Sequence, residues 1–329
     1  MASGKIDQYW VGFDLGGTKM MAAAFDAGFK IVGCERKRTR ADQGAQTGMG
    51  RIVETIETTL KQAGIERKRL GGIGVGFAGP LDLDRGVILD SPNMGWRNVP
   101  LRGILRKRFG CPVVVANDVD AGTYGEYRFG AARHARCVLG VFPGTGIGGA
   151  CIYEGRILRG ARHSCMEIGH MIVVPGGNLC GCGRRGCLEA VASRLAIAAE
   201  AALAATRGHA PHLLAMAGAD IREIRSGTIA AAIKAGDSVV EDIVRHAARH
   251  IGVAVANAIN LLAPDVVVLG GGLVEEMPEI FMEETRNTAR RTAMKSLIES
   301  VRFFAAKLGA NATVMGAAAL AAEMRGKAG

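Results

Sequence analysis

Twice in this chain a short apolar run breaks on a glycine-rich turn and resumes at once as a second strand. Residues 9–14 lead through Gly16-Gly17-Thr18 into residues 20–25, and residues 136–142 lead through Gly144-Thr145-Gly146 into residues 149–153. The turns lie about 130 residues apart, far beyond the period of a solenoid repeat, and each opens a half of similar size. The pattern predicts a duplicated α/β fold, two related halves whose leading hairpins face each other across a central cleft. Backbone N–H groups in turns of this kind can surround phosphate oxygens. At 329 residues the chain is long enough for each half to bury its own core.

In the first half a third strand is expected over residues 29–36, a helix over 52–63 and a strand over 73–77 ending in Gly79-Pro80. A helix over 101–109 and a β-branched strand over 111–116 follow. That strand runs into Asn117-Asp118, where Asp118 is placed to cap a helix carrying residues 121–127. The second half adds a strand over 156–158 and a long cysteine-bearing loop over 161–187. Helices follow over 188–205, 228–235 and 239–262, then a strand over 265–269, the turn Gly270-Gly271-Gly272 and a helix over 277–291. A strand over 301–306 and a helix over 312–325 close the chain. Residues 206–225, with His209 and His212, read as a surface insertion between helices.

Gly144, Gly146 and Gly149 fit G-x-G-x-x-G, but the dinucleotide-binding fingerprint needs a helix after its glycines. Residues 150–153 read as a strand instead, and the chain has no G-x-x-x-x-G-K-[ST], which excludes a P-loop. Asp14-Leu15-Gly16-Gly17-Thr18-Lys19 adds chemistry to the first turn. Its glycines allow close approach to phosphate, Asp14 at the strand end can hold a metal-bound water, and Thr18 offers a hydroxyl. Gly270-Gly271-Gly272 either passes under an adenine or ribose or simply turns a strand into a helix.

The eight cysteines separate into two groups. Cys34, Cys111, Cys137, Cys151 and Cys165 are dispersed, mostly beside apolar strand residues, and read as small buried hydrophobes. Cys180, Cys182 and Cys187 lie together in Cys-Gly-Cys-Gly-Arg-Arg-Gly-Cys, a knuckle that needs one more ligand to close a tetrahedral zinc site. His170 in Glu167-Ile168-Gly169-His170 is the first candidate, and His163 is the alternative. Four protein ligands leave no open position, so this Zn²⁺ is expected to be structural.

A net charge of +10 raises the question of nucleic acid, yet the basic residues come as scattered triplets at 36–38, 67–69 and 106–108. They read as solvated surface with a mild attraction for anionic substrates. Aromatic residues make up only 5%, too few for platforms that stack bases. The opening residues carry an acid and no apolar segment, and the longest uncharged apolar stretch, 251–264, is too short to span a bilayer. A cytoplasmic protein without membrane or nucleic-acid partners is expected.

Several polar residues remain at strand ends or beside the knuckle: Gly79 and Asn93 in turns of the first half, Asn117-Asp118, Glu167, His170 and Glu189. Asp118 has an ordinary alternative as a helix cap, and Glu189 as a favourable charge at a helix start. Together the carboxylates, amide and imidazole suit a sugar, whose hydroxyls each donate and accept.

From Asp14-Leu15-Gly16-Gly17-Thr18-Lys19 to Gly316-Ala317-Ala318 the chain resembles the ROK family of sugar kinases and repressors, within the actin-like/hexokinase ATPase superfamily. The most specific element is Glu167-x-x-His170 followed by Cys180-Gly-Cys182-Gly-x-x-Gly-Cys187-x-Glu189. The resemblance implies duplicated ribonuclease H-like domains, a small one over 1–120 plus 311–329 and a large one over 121–310 with the zinc loop. It implies Asp118 as general base, with Gly79, Asn93, Asn117, Glu167, His170 and Glu189 holding the sugar. ATP and Mg²⁺ would be held at Asp14, Gly16, Gly17, Thr18 and Lys19, at Gly144, Thr145 and Gly146, and at Gly270, Gly271 and Gly272. His170 would serve both zinc and sugar. The implied activity is a glucokinase forming a homodimer, with N-acetylmannosamine, N-acetylglucosamine or fructose as other acceptors and polyphosphate as another donor. Repressors of the family carry an N-terminal helix-turn-helix, and a first strand opening by about residue 9 leaves no room for one. Cys165-Met166 replaces the small residue usual before Glu167, and Phe142-Pro143 before Gly144 is a second local departure.

Overall fold

Both halves bury their strands among apolar neighbours and arrange them in the same order. The computed structural model describes residues 8–91, 94–161 and 165–326. Asn93 and His163 lie outside the described residues.

In the first unit, β1 (Tyr9–Leu15), β2 (Lys19–Phe25) and β3 (Ile31–Arg38) form an antiparallel meander. Helix α1 (Gly44–Gln62) then crosses to β4 (Leu70–Phe77), which pairs parallel to β1. A small sheet of β5 (Leu81–Asp82), β6 (Val87–Ser91) and β7 (Trp96–Val99) precedes α2 (Leu101–Phe109) and β8 (Val113–Asn117). Helix α3 (Asp118–Phe129) follows. The main sheet runs β3-β2-β1-β4-β8, with β1, β4 and β8 parallel. Asp14 lies opposite Gly76, and Phe77 opposite Asn117, so the chain leaves all three strands at one edge of the sheet. Such carboxyl ends are where open α/β sheets bind ligands.

The second unit repeats this plan. Strands β9 (Cys137–Pro143), β10 (Ile147–Tyr153) and β11 (Arg156–Ile157) form the meander, and the cysteine loop and helices follow. These helices are α4 (Glu189–Ala192), α5 (Arg194–Thr206), α6 (Pro211–Ala217), α7 (Ser226–Ala235) and α8 (Ser238–Leu262). Then come β12 (Val266–Leu269), α9 (Gly272–Glu276), α10 (Pro278–Thr292), α11 (Lys295–Ile298) and β13 (Arg302–Ala305), and α12 (Ala312–Gly326) ends the fold. The order β11-β10-β9-β12-β13, with β9, β12 and β13 parallel, matches the first sheet. The duplication is therefore real at the level of topology.

Three expectations need correction. The helix over 188–205 is broken at Ser193, which is 3% exposed and whose hydroxyl accepts from the Ala196 N–H to start α5 afresh. The helix over 277–291 begins earlier, as α9, and restarts at Pro278, where proline fits a first turn. Residues 206–225 are not a surface insertion: Ala210, Leu213 and Ile224 lie in the second core. The Asp237 carboxylate accepts from the His212 and Leu213 N–H groups, giving α6 the cap its own sequence lacks. The basic triplets are largely exposed and meet local carboxylates, with Lys37 on Glu54 at 2.9 Å and Lys68 on Glu66 at 2.7 Å. Among the described residues no helix is long and apolar enough to cross a membrane.

The chain divides into two compact units. One takes everything up to Arg133, resumes briefly at Arg159 and takes the chain again from Ala310. The other takes His134–Leu158 and continues to Gly309. The first keeps α3 whole, past residue 120, because α3 packs on α12 and β4. Gly316 makes the α3–α12 crossing possible, since a Cβ there would lie 1.7 Å from the Ala121 carbonyl oxygen. Gly316→Val is expected to cost about 3 kcal/mol by overpacking and to lower the melting temperature by several degrees. An unchanged melting curve would show that the two helices have room to separate.

Candidate functional site

The first unit gathers its chemistry where β1, β4 and β8 end. Asn117, not Asp118, caps α3: its Oδ1 accepts from the N–H groups of Val119 at 2.9 Å and Asp120 at 3.2 Å. The capping role expected of Asp118 is thereby taken, because the residue in extended backbone conformation just before the helix is Asn117. Asp118 becomes the first helical residue, with its carboxylate beside its own N–H and that of Val119. Burial pushes that carboxyl above its ordinary range, while the N–H groups of Val119 and its own backbone pull the other way.

Asp14 stands nearby at the end of β1. Its carboxyl is pushed up to about 7, first by burial and next by the Asp118 charge, with Arg36 pulling it down. The strand register explains Arg36, since Asp14, Met21 and Arg36 form one row across β1, β2 and β3. Two half-buried carboxylates, each raised by burial and one of them further by the charge of the other, suit a bound cation, which would let both ionise.

The turn between β1 and β2 is closed by a hydrogen bond from the Gly16 N–H to the Lys19 carbonyl at 3.1 Å. Thr18 and Lys19 are exposed, with Gly16 and Gly17 half-buried. The turn is also held by Thr39, a fully buried residue that no motif marks. Its hydroxyl donates to the Gly16 carbonyl at 2.6 Å, and its N–H donates to the Thr18 carbonyl at 2.9 Å. Gly79 follows β4, its N–H on the Phe77 carbonyl, while the Ala78 N–H reaches the end of β1 at Leu15.

In the second unit, a tight turn of residues 168–170 carries His170 to the cysteine knuckle. Ligand atoms of His170, Cys180, Cys182 and Cys187 all lie within 4.8 Å of one another. His170 Nδ1 is 3.7 Å from the Cys180 sulfur, and the Cys182 and Cys187 sulfurs are 3.6 Å apart. Burial, then the neighbouring Cys182 and Cys180 sulfurs, push the Cys187 thiol up to about 11. Holding all three as thiolates would take a cation among them, and the donor set fits zinc. Of the dispersed cysteines, Cys111, Cys137 and Cys151 are buried as expected, but Cys165 is only half-buried and Cys34 is exposed because its strand forms the sheet edge.

Glu189 connects this knuckle to the second glycine turn. Its Oε2 accepts from the Ile147 N–H at 2.9 Å, and its Oε1 lies 3.9 Å from the Cys180 sulfur. A Cβ on Gly146 would come within 2.4 Å of the same carboxylate and would push it off its place. The turn closes through the Gly144 N–H on the Gly146 carbonyl at 2.8 Å, and Thr145 is exposed at its tip. Gly270 donates to the Val141 carbonyl at 3.0 Å, which sets Gly270, Gly271 and Gly272 beside the end of β9. Glu167 is exposed at the head of the His170 turn.

The raised Asp14 carboxyl binds its proton more tightly in the folded chain than in the unfolded one. It therefore withdraws stability as pH rises from 3.8 to about 7. Asp14→Asn is expected to melt higher than wild type above about pH 7 and to lose that advantage near pH 4. Parallel pH–melting profiles for the two proteins would show that Asp14 has an ordinary carboxyl.

The chain is similar to known sugar kinases and repressors. A glucokinase of Streptomyces coelicolor is 34% identical over 316 residues, covering 95% of this chain and 97% of the relative. A xylose repressor of Caldicellulosiruptor bescii is 29% identical over 269 residues, covering 82% of this chain and 67% of its own. Among solved structures, a ROK family glucokinase from Streptomyces griseus in complex with glucose and AMPPNP superimposes with a TM-score of 0.82 at 34% identity. That match covers 96% of this chain and 99% of the other. Residues 10–324 match the ROK family, and with its duplicated sheets, glycine turns and Cys-His knuckle the chain belongs to that family.

Proposed function

We propose that this chain is an ATP-dependent hexose kinase, a glucokinase that phosphorylates the 6-hydroxyl of glucose. The observation that carries the reading is the Asp118 carboxylate, half-buried at a strand end and relieved of capping by Asn117. The glucokinase relatives support glucose as the acceptor.

Asp118 takes the proton of the attacking hydroxyl. The sugar oxygen bonds to the γ-phosphorus as the bond from that phosphorus to the β–γ bridging oxygen breaks, and ADP leaves. Asn117 has spent its carbonyl oxygen on α3, so toward the sugar it is a donor through Nδ2. His170 turns Nδ1 to the sulfurs, which leaves Nε2 for a sugar hydroxyl. Glu189 has one oxygen on the Ile147 N–H and offers its other lone pairs to the sugar. Glu167 and Gly79 complete the described set, and Asn93 is assigned with them on sequence grounds. Asp14, Gly16, Gly17, Thr18 and Lys19, with Gly144, Thr145 and Gly146 and with Gly270, Gly271 and Gly272, are assigned to ATP.

Mg²⁺ held near Asp14 would neutralise phosphate charge when bound. Zn²⁺ held by His170, Cys180, Cys182 and Cys187 would fix the loop that carries the sugar ligands. A cytoplasmic homodimer is proposed with this function on the family resemblance alone.

A coupled ADP-release assay across hexoses and N-acetylhexosamines should give the highest kcat/KM with glucose. Silence with every sugar would transfer the chain to the sensor side of its family. Asp118→Ala should lower kcat by at least about 100-fold, and near-normal turnover would remove Asp118 from its role. Elemental analysis of chelator-free protein should find one zinc per chain, and Cys182→Ser should lose it along with several degrees of melting temperature. Metal-free protein of undiminished stability would refute the zinc assignment.

A further inference from the structure

Arg194 is a cation to which the phosphoryl-transfer chemistry above gives no task, yet it sits on the second glycine turn. The helix break at Ser193 lets the Arg194 N–H donate to the Gly144 carbonyl at 2.8 Å. Its guanidinium donates to the Thr145 hydroxyl at 3.4 Å and to the Ile224 carbonyl at 3.2 Å. Ile224 carries the chain straight into Arg225, which is exposed. Burial, and then the nearby charge of Arg225, hold the Arg194 guanidinium below its ordinary value. Among the described residues neither arginine has an ion pair with a carboxylate. The triple-glycine turn reaches the same place, because a Cβ on Gly272 would lie 3.6 Å from the hydroxyl of Ser226. Like charges held together without a counter-ion cost free energy unless an anion arrives to share them.

We propose that Arg194 and Arg225 form the phosphate-recognising pair of the nucleotide site. Arg194 positions the turn through Gly144 and Thr145 while both arginines supply charge to the polyphosphate of the nucleotide. This rests on the kinase reading of residues 144–146. The planar fork of Arg194 holds Ile224 with one terminal nitrogen and Thr145 with the other and still carries further N–H donors, a spread that the single ammonium of a lysine does not reproduce. Arg225 contributes through charge alone, so its effect should fade with salt and that of Arg194 should persist.

The test is equilibrium binding of ATP, ADP and uncharged adenosine to the full-length protein, with steady-state kinetics alongside. Arg194→Met should weaken ATP and ADP by at least about tenfold, the range of a lost charged hydrogen bond, and leave adenosine affinity and the glucose KM unchanged. Arg194→Lys should recover part of the loss. The exposed Arg225→Met, which carries no fold risk, should weaken ATP about threefold at low salt and less at high salt. Variants that bind ATP like wild type, or that lose adenosine in the same proportion, would overturn the proposal. A wild type without hexose kinase activity but with arginine-dependent discrimination of ATP from adenosine would refute the function and leave this inference standing. Active wild type with unaffected variants would do the reverse.

Discussion

The side-chain amide oxygen of Asn117 accepts two backbone N–H groups at the start of α3, and the place of the Asp118 carboxylate depends on it. A helix start leaves N–H groups that some acceptor must satisfy. Had Asp118 supplied that acceptor, its charge would have been spent on the backbone. With an amide doing so one residue earlier, the carboxylate is kept at the end of a parallel strand, half-buried and raised by its surroundings. Asp14 arrives at the same edge through strand register, since β1 and β8 both pair with β4. Burial first and the Asp118 charge second raise the Asp14 carboxyl, and a cation at this edge would relieve both.

Both units then solve a second problem alike. A turn that is to offer N–H groups to phosphate must be held by contacts that leave some of them open. In the first unit Thr39 grips carbonyls of the turn from behind, using a buried hydroxyl and its own N–H. In the second, Arg194 and Glu189 hold the turn through Gly144, Thr145 and Ile147. The holding residues come from outside the turns and differ between the units, although the sheets they serve have one order. Duplication thus fixed the scaffold while the supports diverged.

The cysteine knuckle adds a third dependence. Glu189 follows the last cysteine closely and is the first residue of α4, so the set of the knuckle determines where its carboxylate falls. That carboxylate reaches the Ile147 N–H and lies where a Cβ on Gly146 would meet it. A metal bound here would shape more than the loop it ties, because its influence would pass to the glycine turn through one side chain.

Much of this was legible in the residues themselves. The two strand–turn–strand units, the Cys180, Cys182 and Cys187 knuckle with His170, and the strand ends bearing Asp14 and Asp118 are local patterns, set by spacing along the chain. Between the two roles that the sequence offers Asp118, the neighbouring Asn117 decides by taking the cap. Local spacing places residues 206–225 on the surface and draws residues 188–205 as one helix, and there the deciding partner comes from elsewhere in the chain: the Asp237 carboxylate at the start of α6, and the Gly144 carbonyl that receives the N–H of Arg194. Sequence alone determined which residue types stand at strand ends and in the metal loop, because hydrophobic period and ligand spacing are properties of neighbouring residues. Tertiary structure alone decided which groups are left with free lone pairs and charges, because each backbone donor is satisfied by whatever acceptor the fold brings within reach.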